Sequence, residues 1–161
     1  MNTARIDKKG LVICLMFGPL FLFGAWGALT YHRDKQLPGV IDYKSGHTQK
    51  AILELQQYVR DHPCTEHHSV FDSKSEIALK YLGLAYLVAN QNQKAATVFS
   101  TPCIDDDSNQ YNLGVALMRL GKLQEARIAF KNCIKMNNGK FSDEALSRAA
   151  QAKLDALDKL R

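Results

Sequence analysis

The side chains with the most capacity for chemistry gather in one short stretch: His62, Cys64, Glu66, His67 and His68 are all types that ligate transition metals. A structural zinc site needs ligand pairs spaced so that separate turns close on the ion, and neighbours in one loop rarely converge. The stretch therefore reads as a polar loop, and no metal is expected there. Asp105, Asp106 and Asp107 form a second acidic cluster. The glycine and the later glutamate of a calcium loop are missing, so Asp107 and Ser108 read instead as the start of a helix. Cys64 and Cys103 are a third candidate, because each follows a proline, in His62-Pro63-Cys64 and Thr101-Pro102-Cys103. They are either a disulfide pair, which requires an oxidising compartment, or two loop thiols. Cys133 lies within an apolar helical pattern and reads as a buried free thiol. With no phosphate-binding glycine loop, nucleophile elbow or zinc-protease helix, no catalytic residue, cofactor or small-molecule substrate is assigned, and the chain reads as non-enzymatic.

The elements that carry these residues divide the chain unevenly. At 161 residues it holds one modest domain with appendages. Of the formal charge of +5, Arg5, Lys8 and Lys9 against Asp7 place +2 in the first ten residues. The remainder is too dilute for a nucleic-acid surface. Residues 11–31, LVICLMFGPLFLFGAWGALTY, contain no charged side chain, and as a helix they would span roughly 31 Å, the thickness of a bilayer's hydrocarbon core. This is the expected transmembrane helix, a signal anchor preceded by a basic flank at 1–10 and followed by a juxtamembrane linker at 32–46. A cleaved signal peptide is the competing reading, with Ala25-Trp26-Gly27 as the small-x-small site. The apolar run is longer than a signal core, which favours an uncleaved single-pass anchor. Cations flank both ends of the run, so the orientation rests on the leading charges, which place the N-terminus in the cytoplasm.

Downstream the apolar residues recur at helical spacing throughout, and no alternating β-branched run competes. The pattern predicts helices at 48–60, from Ser73 or Ser75 to about 90, and at 93–100, 108–120, 123–136 and 142–160. The fold class is all-α. The two middle helix pairs superpose on each other: Leu82, Gly83, Ala95 and Phe99 match Leu113, Gly114, Ala126 and Phe130 at one offset of 31 residues. Within each pair the Gly-to-Ala interval is 12 and the Ala-to-Phe interval 4. Small residues belong where two antiparallel helices cross closely, and an aromatic fills the space beside them.

These residues, with Gly121 at the turn, resemble the tetratricopeptide repeat, a helix-turn-helix unit stacked in arrays. The resemblance implies clear repeats at about 76–106 and 107–138, a partial repeat at about 46–63, and a capping helix at about 142–160, together a domain over 47–161. Gly39, Gly46, Ala51 and Leu55 stand at matching intervals ahead of the clear repeats. Pro38 argues against a regular first helix there, so only the second helix of that unit is expected. The resemblance also implies a partner-binding groove lined by the first helix of each repeat: Ile77, Lys80, Leu84, Leu87 and Val88 from one unit, and Tyr111, Asn112, Val115, Met118 and Arg119 from the next. Lys80 and Asn112 match two positions of a family variant that grips a C-terminal carboxylate, but Leu84 replaces a required Asn, and that mode is set aside. Equivalent loops of adjacent repeats share an edge, so the resemblance makes a disulfide between Cys64 and Cys103 geometrically possible. The functional expectation is a membrane-anchored scaffold or assembly factor that holds a protein partner. The expected membrane is a bacterial inner membrane, with the repeat domain expected to face the periplasm. The alternatives are a cytosol-facing docking receptor and a secreted metal-binding protein using the His62–His68 loop.

Overall fold

The computed structural model describes residues 37–64, 73–137 and 144–159. The chain divides into two compact units, 1–36 and 37–161; the first, with the expected anchor at 11–31, lies outside the described residues. Among the described residues no helix is long and apolar enough to cross a membrane. The second unit contains, in order, α1 (Pro38–Lys44), α2 (Thr48–Asp61), α3 (Ser73–Val88), α4 (Asn92–Phe99), a 3₁₀ turn (Pro102–Ile104), α5 (Asp107–Arg119), α6 (Leu123–Met136) and α7 (Glu144–Asp158). Each helix packs on its chain neighbour, and in addition α1 touches α3, and α3 touches α5. The result is a row of helical hairpins: α1–α2, α3–α4 and α5–α6, with α7 closing the end.

One steric device builds all three hairpins. A Cβ added at Gly83 would sit 2.6 Å from the Phe99 ring, one at Gly114 2.6 Å from the Phe130 ring, and one at Gly39 2.6 Å from Leu55 Cγ. Each glycine lets the opposite helix approach until a bulky side chain lies flat on its backbone. The alanines of the second helices, Ala51, Ala95 and Ala126, are fully buried at the same crossings. The turns also match. Gly46, Asn90 and Gly121 each follow their crossing glycine by seven residues, and all three have positive φ, of 83°, 57° and 74°. Asparagine is the residue other than glycine that tolerates this region best.

The first hairpin corrects the expected linker at 32–46. Residues 38–44 form a helix with Pro38 in its first turn, where the missing N–H is unpaired in any helix and the fixed φ suits the start. Pro38 thus begins the helix it was expected to prevent. Val40 in that helix is fully buried. The first unit is consequently a whole hairpin, and Leu55 takes the place of the phenylalanines. The other boundaries fall within two residues of expectation; the expected cap of α7, Ser142, and the preceding Asn138-Gly139 lie outside the described residues.

The core is one cluster running the length of the row, and Phe130, Leu55, Ile104, Leu157 and Val40 are its largest fully buried apolar side chains. Ile104, on the 3₁₀ turn, fills the joint between the second and third hairpins, and its carbonyl accepts a hydrogen bond from the buried Asn109 amide at 2.6 Å. At the far end Ala150, Leu154 and Leu157 of α7 are buried. Arg127 of α6 locks this helix by donating to the Leu157 carbonyl and to the Asp158 carboxylate.

Candidate functional site

The first helices α1, α3 and α5 form a continuous face because each touches the next. Its centre is apolar. Val88 is 58% exposed at the end of α3, and Leu84 one turn earlier and Val115 and Met118 on α5 are partly buried and packed on the core. Ile77 and Tyr111 are likewise half-buried, and the Tyr111 ring lies 5.7 Å from that of Phe130. Asn112 is half-buried. Leu87 belongs to the core rather than to the face, at 8% exposure.

Both cations expected in the groove are held by the protein itself. Lys80 Nζ lies 2.7 Å from Glu76 Oε1 and 2.6 Å from Asp106 Oδ2. Burial works to lower the Lys80 pKa, but its bonds to Asp106 and Glu76 prevail and hold it above the ordinary lysine value. Asp106 is the reciprocal case. Burial would raise its carboxyl, and Lys80, the Asn109 amide and the Ser108 hydroxyl together hold it below the usual carboxylate value. The Asp106 side chain caps α5 by accepting from the Asn109 N–H at 2.8 Å. The ion pair therefore ties α3 to the start of α5. Arg119 donates from Nη1 to the Leu87 carbonyl at 2.9 Å, near the C-terminal end of α3, where that oxygen also accepts from the Asn90 N–H at 3.2 Å.

The face continues onto α1, which the sequence reading left out. Lys44 Nζ sits 5.2 Å above the Tyr81 ring, and Tyr43 meets Tyr81 edge-on at 5.5 Å between centroids. The signal was available: Lys44, Val88 and Arg119 each stand five residues after a crossing glycine.

The remaining chemistry-bearing residues are engaged otherwise. Cys64 and Cys103 are joined in a disulfide with a Cα–Cα distance of 6.3 Å. A cysteine so bonded has no thiolate for a metal. His62 stacks on Tyr58 at 4.3 Å, and its Nδ1 is 3.1 Å from the Tyr58 carbonyl, which can only accept. Glu66, His67 and His68 lie outside the described residues, and among the described residues no three metal-ligating side chains converge. Asp105 accepts from Gln110 and Asp107 from the Ser108 N–H, so all three aspartates serve the start of α5. The Cys133 thiol is pushed up to about 11 by burial and by Asp107 and Asp106, and it stays protonated and unreactive at neutral pH. A cleft of about 600 Å³ between α6 and α7 is lined by Arg127, Ile128 and Lys131; its arginine is the one already bonded to α7.

Residues 109–140 match the family described as Tetratricopeptide repeat. The fold is a tetratricopeptide-type helical array. The crystal structure of PcrH from Pseudomonas aeruginosa is similar over 78% of this chain and 91% of that one, with a TM-score of 0.63 at 19% sequence identity. At that identity the likeness establishes the fold alone. No curated protein sequence matches the chain. Arrays of this type are protein-interaction folds, with side chains displayed along a row of first helices.

Proposed function

We propose that the chain is a non-enzymatic scaffold or assembly factor, held in a membrane by residues 11–31, whose array grips a segment of a protein partner along the face of its first helices. The observation that carries this reading is the exposed Val88 and half-buried Leu84 on α3 together with the half-buried Val115 and Met118 on α5, the helix α3 touches. An apolar strip on a pre-ordered row of helices can take an extended or helical segment without itself paying an ordering cost. The Cys64–Cys103 bond supports placing the array in an oxidising compartment such as the periplasm, and weighs against a cytosolic docking receptor. It also weighs against a metal site in the neighbouring loop.

A photo-reactive side chain placed in the full chain tests the site. At Val88 or Met118 it should give a discrete crosslinked product in the native membrane, whereas at Leu53, which is 67% exposed on α2, it should not. Equal products at all three positions, or none at Val88 and Met118, would sink the groove reading. Protease access to a tag after Arg161 in sealed vesicles tests the compartment: digestion from the cytosolic side alone would remove the periplasmic assignment.

A further inference from the structure

Two ties cross between α3 and α5. Near the start of both helices Lys80 bonds to Glu76 and Asp106; near their finish Arg119 bonds to the Leu87 carbonyl. Leu84 on α3 and Val115 on α5 fall between the two ties in sequence, and both are half-buried. The ties differ in charge. Lys80 meets two carboxylates, so its ammonium is more than neutralised. Arg119 meets a neutral oxygen, and among the described residues no carboxylate pairs with it.

The Leu87 oxygen already accepts from the Asn90 N–H at 3.2 Å, so the bond to Arg119 does not rescue an unpaired acceptor. Its effect is to hold the guanidinium against the peptide that joins Leu87 to Val88. Val88 is 58% exposed, and the Arg119 side chain is exposed as well. A guanidinium carries five N–H donors in a planar fork that matches a carboxylate. One is used on Leu87, and among the described residues the others meet no acceptor. Arg119 stands in the last turn of α5, where the final carbonyls of a helix add a partial negative charge of about half an electron. That suits a cation without neutralising it.

We infer that Arg119 sets the specificity of the first-helix face, selecting a partner segment in which an aspartate or glutamate side chain stands beside apolar residues. The carboxylate takes the free edge of the guanidinium, and its apolar neighbours lie on Val88 and Leu84. The inference rests on the reading of this face as the partner site and names what the site selects. A wholly apolar segment would cover the Arg119 charge without pairing it, and a basic segment would set like charges together, so both are disfavoured.

The test uses the isotope-labelled full chain in nanodiscs and an acetylated, amidated Ala-Leu-Glu-Leu-Leu-Ala peptide, read by backbone amide shifts. Saturable shifts should appear at Leu84, Val88, Met118 and Arg119. The glutamine version, equal in shape but uncharged, should bind the same face about three- to tenfold more weakly, and added salt should narrow the gap. Arg119→Gln should remove the preference for glutamate while leaving the glutamine peptide bound as before and the helical circular dichroism unchanged. Arg119→Glu should turn the preference toward the lysine version of the peptide, which a purely structural role for the bond to Leu87 would not produce. Should either variant misfold, the peptide pair on the unaltered chain still decides. Equal binding of the glutamate and glutamine peptides on this face would overturn the inference and leave the groove reading intact. An absence of saturable shifts would overturn it too, and without crosslinks at Val88 or Met118 the groove reading would fall with it. A concentration-dependent dimer through this face, or tighter binding of a glutamine peptide with a free C-terminus, would also overturn the inference.

Discussion

The first and third hairpins share one plan but are held in place by different means. In both, a glycine lies under a bulky side chain sixteen residues later, and a positive-φ residue turns the chain seven residues after that glycine. The third hairpin has a fully buried phenylalanine, a first helix of 13 residues and a closing helix packed on its outer side. The first has Leu55 and a first helix of only 7 residues, and it is bonded covalently to the middle of the array through Cys64 and Cys103. In a repeat array stability comes from each unit and from its interfaces with neighbours. The unit with the shorter first helix is the one with the disulfide, which adds a covalent tie to its packing on the next unit.

The largest effect expected within this contrast is that of Phe130→Ala. Its ring is fully buried on Gly114, and removing it should cost about 3–5 kcal/mol in thermal or urea unfolding. Leu55→Ala in the first hairpin should cost less, about 2–4 kcal/mol, with its loss of amide protection confined to α1 and α2. A uniform loss of protection in both variants would mean that the array unfolds as a single unit and that the two ends are not independent.

Breaking the disulfide comes next. Its cysteines are 39 residues apart in sequence, and closing a loop of that size is worth about 2–4 kcal/mol through the unfolded chain. Cys64→Ser with Cys103→Ser should lower the melting temperature and expose the amides of α1 and α2 to exchange while those of α5 and α6 stay protected. At the other end Arg127→Gln should release α7 selectively, costing about 1.5–3 kcal/mol for the lost charge-assisted bonds. If exchange in α7 is unchanged, its apolar contacts through Leu154 and Leu157 suffice to hold it.

Local patterns made most of this fold legible. The 31-residue offset identified the two clear repeats because the Gly, Ala and Phe of a crossing must keep their spacing for the helices to touch. The first hairpin was only half visible: its offset from the second is 44 residues, and Pro38 looked like an obstacle although it occupies the first helical turn. The face was less legible than the fold. Spacing placed Lys80, Leu87 and Arg119 in a helix and on one side of it. It carried no information about Asp106 meeting Lys80, or about the Leu87 carbonyl that engages Arg119, since both are contacts between residues far apart in sequence. The Arg127 link to α7 was invisible for the same reason.

The smallest expected effect concerns how the middle of the array is tied together, and its sign follows from the Lys80–Asp106 pair. Asp106 is held below its ordinary value of 3.8 in the folded chain, so its contribution is complete above that pH and is lost as the pH falls through the depressed folded value. Lys80 is held above 10.5, so its contribution is complete below that pH and is lost as the pH rises through the raised folded value. Stability should therefore carry an acid limb and an alkaline limb, each with a part that belongs to this pair. Asp106→Asn separates the charge from the cap, because asparagine can still accept the Asn109 N–H at the start of α5. The variant should lose part of both limbs and little of its stability elsewhere, as measured by urea midpoints across pH. Because the side chains are 28% and 38% exposed, solvent screening keeps the change modest and salt should reduce it further. Wild-type pH dependence in the variant would show that the joint between the second and third hairpins is held by the Ile104 turn and the apolar core alone.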